Sequence, residues 1–349
     1  MSTPSACPVC SSKPEEQVRC TACGFEQAFI SGFADPAALQ LWQSQVLTAQ
    51  QSRRTLSLGR LRGKQIIACS SRTLAVINPD THDCRFFNKD GNLPSSPRLH
   101  NAQQVSCSRN HHVTLHADGT LTPYVIGNLR DVQDAAFVHS TENATYIVTR
   151  QGRIVTRGLS EFQPIIDSWT DVTQLASSDT ALIALLRDGT VRIAATTAAD
   201  ADIRRRPLDP ADTALCREYA APLDWRGITQ VAAAGQYLLG LTNTGKTLYL
   251  GRLSTRLWQE PVICIAAARD YALGLTEDGR VLTAGKRQTT LAPDLASETA
   301  AWRDVLVLAA HDTTVCGIDA AGQLLIAGSS YYRSSLIDRR LWDASFLVS

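Results

Sequence analysis

Two consecutive stretches decide the fold: "WRGITQVAAAGQYLLGLTNTGKTLYLG" at residues 225–251 and "PVICIAAARDYALGLTEDGRVLTAG" at residues 261–285. A third, "WRDVLVLAAHDTTVCGIDAAGQLLIAG", follows at residues 302–328. Each has an apolar run, a gap, a second apolar run, a turn with glycine, and a third run. Short apolar runs bounded by Gly, Asp and Asn predict strands joined by hairpins. The chain therefore contains an internal repeat of small sheets.

The glycine of the turn sets the register of this repeat along the chain. It recurs at Gly119, Gly152, Gly189, Gly245, Gly279 and Gly322. The residue four positions earlier is always apolar, at Leu115, Val148, Leu185, Leu241, Leu275 and Ile318. A degenerate unit at residues 65–87 precedes these six units. Seven units at this pitch predict an all-β, seven-bladed β-propeller over residues 65–349.

The turn motif also resembles a known family. "LTEDGRVLTAG" at residues 275–285 is similar to the regulator-of-chromosome-condensation repeat, with its Leu-Thr-x-Asp-Gly-(Lys/Arg)-Val turn and closing Ala-Gly. The resemblance implies a propeller of that type and, as one functional alternative, a guanine-nucleotide exchange factor for a small GTPase. After the closing glycine the chain has "KRQTTLAP", where family members often carry Gly-Gln-Leu-Gly. No loop wedge for exchange can be identified by residue.

Composition excludes some classes of partner. The net charge is +1 with 19% charged residues, which gives no general electrostatic reason to bind nucleic acid or an anionic membrane. No apolar run approaches the roughly 18 residues of a membrane span. The first thirty residues have no apolar core of a secretory signal, so the sequence predicts a cytoplasmic protein.

The N-terminal segment, residues 1–33, carries four cysteines in metal-ligand spacing. Cys7-x2-Cys10 and Cys20-x2-Cys23 are separated by nine residues. Two such pairs can place four thiolates around one Zn²⁺, each about 2.3 Å away. The segment resembles a short zinc ribbon, and we expect one structural zinc ion. An iron site of rubredoxin type and free thiols are the alternatives.

Residues 34–64 form a predicted helix and a basic linker. Leu39, Trp42, Val46 and Ala49 recur at spacings of three and four, which is typical of an amphipathic helix. The zinc ribbon or the propeller is expected to cover this stripe, and a partner's groove is the alternative. The linker "SRRTLSLGRLRGK" could contact phosphates, but such a run is more typical of a solvated linker.

Two motifs can mislead. Gly240-x4-Gly245-Lys246-Thr247 matches the phosphate-binding P-loop pattern, but Gly245 aligns with the turn glycines and a strand follows it. We therefore predict a hairpin turn. His111, His112 and His116 could suggest a metal site. However, His111 stands eight residues before its turn glycine, the position that Tyr237 and Tyr271 occupy in other blades. Packed or hydrogen-bonded histidines are the preferred interpretation.

The longest interruption runs from Thr196 to Asp224 and is predicted to be an exposed loop. Its Arg204, Arg205 and Arg206 are candidate partner-binding residues, because long loops on rigid scaffolds often carry function. We expect a non-enzymatic protein-interaction scaffold whose propeller loops bind a protein partner. A nucleic-acid-associated zinc-ribbon factor is a further alternative, and no catalytic or cofactor-binding residue is predicted apart from the zinc ligands.

Overall fold

The computed structural model describes residues 65–328, except for 71, 79–81, 89–90, 93–98, 110, 125–128, 197–209, 220–222, 286–293 and 321. Its strands form seven antiparallel sheets, each built from strands consecutive in the chain. Each sheet is one blade, and each predicted unit corresponds to one sheet. The seven-bladed β-propeller predicted from the repeat is confirmed.

The blades follow one another in chain order. Blade 1 contains β1 Ile67–Cys69, β2 Leu74–Ile77, β3 Cys84–Asn88 and β4 Gly91–Asn92; blade 2, β5 Ala102–Cys107, β6 His112–His116 and β7 Leu121–Tyr124. Blade 3 contains β8 Ala135–Ser140, β9 Ala144–Thr149 and β10 Ile154–Gly158; blade 4, β11 Val172–Ser177, β12 Ala181–Leu186 and β13 Val191–Ala195. Blade 5 contains β14 Ile228–Ala234, β15 Tyr237–Thr242 and β16 Thr247–Gly251; blade 6, β17 Cys264–Ala268, β18 Tyr271–Leu275 and β19 Val281–Gly285; blade 7, β20 Val305–His311, β21 Thr314–Asp319 and β22 Leu324–Gly328.

The turn glycine joins each blade to the next one. All six turn glycines have φ between +75° and +90°, a region that residues with a Cβ rarely adopt. The carbonyl of Gly279 accepts a hydrogen bond from the amide of Val305 at 3.0 Å, at the start of the next blade. A Cβ on Gly279 would lie 2.7 Å from the Cα of Asp304. Both the backbone angle and this close approach explain why glycine marks the repeat.

The Trp of the repeat packs on the middle strand of its own blade. Trp225, Trp258 and Trp302 lie against Gly240, Gly274 and Gly317, each five residues before a turn glycine. These glycines have no Cβ, which leaves room for the indole ring. Each Trp also packs in or against the apolar cluster between its own blade and the preceding one.

The ring of innermost strands is complete within the described residues. β1, β5, β8, β11, β14, β17 and β20 contact one another in this order, and β20 returns to β1. One apolar cluster joins blades 1 and 7, with Cys69, Leu306 and Cys316 among its buried members. The C-terminal "LWDASFLVS" repeats the opening of a blade, so the sequence predicts that residues 342–348 pair with the first unit near residues 66–77. Residues 342–348 lie outside the described residues, so this pairing stays a prediction.

Among the described residues, three short helices lie between blades. They are α1 Gln163–Ile166, α2 Pro210–Tyr219 and α3 Leu295–Thr299. The expectation of an exposed loop from Thr196 to Asp224 is wrong for its second half, because α2 occupies it. Leu215 and Tyr219 of α2, one helical turn apart, are each 1% exposed and pack in the core cluster between blades 4 and 5.

Candidate functional site

One mouth of the central channel is lined by the loops that join the first and second strands of the blades. We call this surface the loop face. The innermost strands end here, and their ends surround a depression of about 930 Å³. Every blade contributes to its lining, from Arg72 in blade 1 to Asp312 in blade 7. A side chain from a bound molecule could therefore contact several blades at once.

Loops of two lengths build this face. In blades 1–4, the loop between the first and second strands has four residues between the last two residues that pair with each other, as between Cys107 and His112. Their first residue is Ser or Thr, whose hydroxyl accepts a hydrogen bond from the amide three residues later: Ser70, Ser108, Thr141 and Ser178. In blades 5–7 only two residues turn the chain, as between Ala234 and Tyr237. The longer loops make the wall of the depression asymmetric.

Paired charges stand on the rim of the depression. Arg269 Nε donates to Asp312 Oδ1 at 2.6 Å, and Arg109 approaches Glu142 at 3.7 Å. Both side chains of the Arg109–Glu142 pair are more than half exposed. Exposed pairs of this kind contribute about 0–1 kcal/mol to stability. These side chains can therefore exchange partners with a bound molecule at little cost.

Two histidines lie at the inner end of the depression. His139 Nε2 bonds the hydroxyl of Ser177 in the next blade at 2.7 Å. Burial, with a smaller contribution from His311, lowers the pKa of His139 to about 4. Burial also lowers the pKa of His311, whose Nδ1 is enclosed with no hydrogen-bond partner in the described part of the chain. Both rings are neutral at pH 7.

An exposed leucine borders the same depression. Leu159 follows the closing glycine of blade 3 and is 64% exposed, more than any other large apolar side chain that the structure describes. It is followed by Phe162, which is buried. Among the described residues that line this depression, Leu159 is the large apolar side chain with the most surface left for a partner to cover.

The opposite mouth has a different chemistry. The innermost strands begin here, around a depression of about 690 Å³ that we call the amide mouth. Its lining consists of amides, threonines and apolar side chains: Gln65, Ile66, Ile77, Ala102, Gln103, Gln104, Leu115, Ala136, Phe137, Thr173, Gln174, Leu185, Thr229, Gln230, Leu241 and Ile263, with His82 at the edge. No carboxylate, lysine or arginine stands among these lining residues.

Known structures with the same fold are propellers. The CRINKLY WD40 ectodomain of the Arabidopsis thaliana receptor kinase ACR4 matches with a TM-score of 0.57 and 12% identity, over 78% of this chain and 98% of that one. The ectodomain of the Physcomitrella patens receptor kinase CR4 matches with a TM-score of 0.52 and 14% identity, over 77% of this chain and 74% of that one. Prp20p from Saccharomyces cerevisiae, which is yeast RCC1, matches with a TM-score of 0.49 and 11% identity, over 75% of this chain and 81% of that one.

At these identities the likeness concerns the fold. No family model and no curated protein matches the sequence.

The site residues predicted from the sequence lie outside the described part of the chain. Cys7, Cys10, Cys20 and Cys23, the predicted zinc ligands, and Arg204, Arg205 and Arg206, the predicted contact residues, all lie outside the described residues. The zinc site and the arginine site therefore stay predictions. Within the described ranges, no group of three or more His, Cys, Asp or Glu side chains could hold a metal ion.

The two ambiguous motifs have the structures that the repeat predicts. Gly245 has φ +81° in the hairpin between β15 and β16, so the P-loop pattern is a turn followed by a strand. His111 bonds Ser108 and Thr145, and His112 stacks between the rings of Phe86 and Tyr124 at 4.1 and 4.5 Å. Both interpretations are confirmed.

Sequence reasoning missed the loop face, although one signal was present. A Ser or Thr stands eleven residues before the turn glycine in blades 2–4, at Ser108, Thr141 and Ser178. Leu159 gave no such signal, because an apolar residue after a strand is usually read as core. None of the helices among the described residues is long and apolar enough to cross a membrane.

Proposed function

We propose that the protein is a non-enzymatic interaction scaffold that binds a protein partner on the loop face. The observation that carries the proposal is Leu159, 64% exposed at the border of a depression to which every blade contributes. Burying a leucine side chain contributes about 1.5–3 kcal/mol. A partner that covers Leu159 gains this energy at a rigid surface, because strands hold the surrounding side chains in place.

The rim charges favour a partner with polar groups around an apolar centre. Arg109, Glu142, Arg269 and Asp312 offer both signs of charge, so the surface does not select a strongly acidic or strongly basic molecule. Arg72 adds an exposed guanidinium from blade 1. A protruding loop with an apolar tip and mixed charges would fit these groups.

The hydrogen bond between Ser177 and His139 does not by itself favour hydrolysis. A general base works best with a pKa near the operating pH, whereas the pKa of His139 is lowered to about 4. No carboxylate bonds the ring of His139 among the described contacts, so nothing orients it as in a catalytic triad. We assign this bond to the junction between blades 3 and 4.

The proposal is tested by partner capture from the native host with a matched pair of variants. Leu159→Asp should lose the captured protein, because a carboxylate would be buried in the interface. Tyr249→Asp is the control, since Tyr249 is 45% exposed on the outermost strand of blade 5. A partner retained equally by wild type and both variants would refute binding at the loop face.

Each of the two alternative functions predicted from the sequence has its own test. Exchange activity requires accelerated release of nucleotide from a small GTPase. Nucleic-acid binding requires affinity that falls steeply with salt, because counterions are released from the phosphates. A scaffold of the kind proposed requires neither property.

A further inference from the structure

The depression at the amide mouth is lined by uncharged side chains at the point where the described chain begins. An adjoining pocket, which shares Thr229, Leu241 and Ile263 with it, carries Glu260, Glu277, Asp278 and Arg280. Gln65 lines this mouth, and its side-chain oxygen accepts a hydrogen bond from Gln104 Nε2 at 2.8 Å. Gln104 in turn bonds the backbone of Val138 in the next blade. Gln65, the first residue that the structure describes, is therefore tied to the wall of the amide mouth.

The preceding chain contains a segment of matching chemistry. Residues 36–52, "PAALQLWQSQVLTAQQS", have no charged side chain, in a protein with 19% charged residues. The predicted helix in this segment carries the apolar stripe of Leu39, Trp42, Val46 and Ala49. An apolar stripe of this kind needs a cover in water.

We propose that the helix predicted for residues 36–49 docks across the amide mouth of its own propeller, with Trp42 inserted in the depression. The volume of about 690 Å³ accommodates an indole ring with its flanking side chains. Phe137 and Ile263, both half-buried, and the exposed Ala136 supply apolar contacts. Glutamines of the helix segment and glutamines of the amide mouth can form hydrogen bonds with one another, because an amide group both donates and accepts.

The loop face fits this helix less well. Its rim carries the ion pairs Arg109–Glu142 and Arg269–Asp312, which an uncharged helix would remove from water without adding a charged partner. Removing charged groups from water without compensation costs free energy. The lining of the loop-face depression carries carboxylates and guanidinium groups and that of the amide mouth carries neither, which favours the amide mouth for an uncharged helix.

The linker is long enough for this arrangement. Twelve residues, 53–64, connect the segment to Gln65, and an extended chain of that length spans roughly 40 Å. The tether also keeps the helix at an effective concentration in the millimolar range, so even weak contacts would hold it. Docking would close one mouth and leave the loop face open to a partner.

Cleavage of the linker in the full chain tests the proposal. A specific protease recognition sequence is inserted between Gln51 and Ser52, and the cleaved protein is analysed by gel filtration. We expect residues 1–51 to co-elute with the propeller. Trp42→Asp and Ala136→Asp should each release the fragment, whereas Tyr249→Asp should retain it. Ala136 is exposed, so its substitution leaves the fold intact.

A photo-cross-linking amino acid gives a second readout. Placed at position 42, it should cross-link within one chain to the peptide that contains Ala136 and Phe137. Placed at position 44, on the opposite side of the predicted helix, it should give no such product. Release of the wild-type fragment, co-elution that survives Trp42→Asp, or cross-links to the peptide around Leu159 or to a second chain would each overturn the proposal.

Discussion

The side chain of Gln230 bonds the backbone of Ile265 as a second strand would. Its Nε2 donates to the carbonyl of Ile265 at 2.9 Å, and its Oε1 accepts from the amide of the same residue at 2.9 Å. Gln104 makes the same pair of bonds with Val138. The innermost strands of neighbouring blades diverge too far for a continuous ladder, so a glutamine amide bridges them.

Replacing this amide should weaken the ring measurably. Gln230→Leu keeps the approximate size of the side chain but leaves the N–H and C=O of Ile265 without partners. An unsatisfied buried polar group costs about 1–3 kcal/mol. We expect the midpoint of urea unfolding to fall accordingly. Gln103→Leu, at an exposed position beside Gln104, should leave the midpoint nearly unchanged. Equal midpoints for the two variants would contradict the bridging role.

The fold could be predicted from the sequence because the features that determine it lie within one repeat unit. A turn glycine with positive φ and a buried residue such as Leu275 four positions earlier repeat at fixed spacing, and both can be read from one unit. Gln104, Gln174 and Gln230 also share a register, fifteen residues before the turn glycine. Their role was not predicted, because a glutamine in a strand is usually a solvated residue.

The candidate site could be predicted from the sequence much less well than the fold. The loop face brings together residues far apart in sequence, such as Arg109 with Glu142 and Arg269 with Asp312. The order of charges along the chain does not show which loops meet around the channel. Helix α2 was missed because the prolines and arginines before it suggested a loop, while its two inward residues, Leu215 and Tyr219, formed too short a stripe to detect.

Acid should destabilise the protein through His112. Burial, and to a smaller extent His111, lowers the pKa of His112 from 6.5 to about 4 in the folded state. Between these two values the unfolded chain binds a proton that the folded chain excludes, so stability falls as the pH decreases through this window. A shift of this size corresponds to about 3 kcal/mol.

The variant His112→Phe isolates this effect. Phenylalanine can keep the stacking between Phe86 and Tyr124 but cannot take up a proton. We expect its melting temperature to decrease less than that of the wild type between pH 7 and pH 4.5. An unchanged pH dependence in His112→Phe would show that other groups control acid stability.

The N-terminal segment should bind one zinc ion per chain. Cys7, Cys10, Cys20 and Cys23 provide four thiolates in the spacing of a tetrahedral site. Metal analysis of the purified protein should find zinc at a ratio of one, and the double variant Cys20→Ser with Cys23→Ser should lose it. Iron in place of zinc, or zinc retained by the double variant, would refute the assignment. The propeller should keep its melting temperature when residues 1–33 are removed.

The glycines beneath the tryptophans should not tolerate a methyl group. A Cβ on Gly274 would lie 2.5 Å from Cζ2 of Trp258, well inside van der Waals contact. Because Gly274 does not have positive φ, the backbone itself would accept alanine, and the cost of Gly274→Ala comes from collisions with Trp258 and with Cγ1 of Val262 at 2.8 Å. Overpacking of this kind typically costs about 1–3 kcal/mol.

The double variant Gly274→Ala with Trp258→Leu distinguishes collision from backbone strain. A smaller side chain at position 258 makes room for the methyl group, so the two substitutions together should destabilise blade 6 by less than the sum of their separate effects. Thermal unfolding of the four proteins in this cycle measures the coupling. Strictly additive effects would mean that Trp258 does not limit the space above Gly274, and that the glycine is required there for another reason.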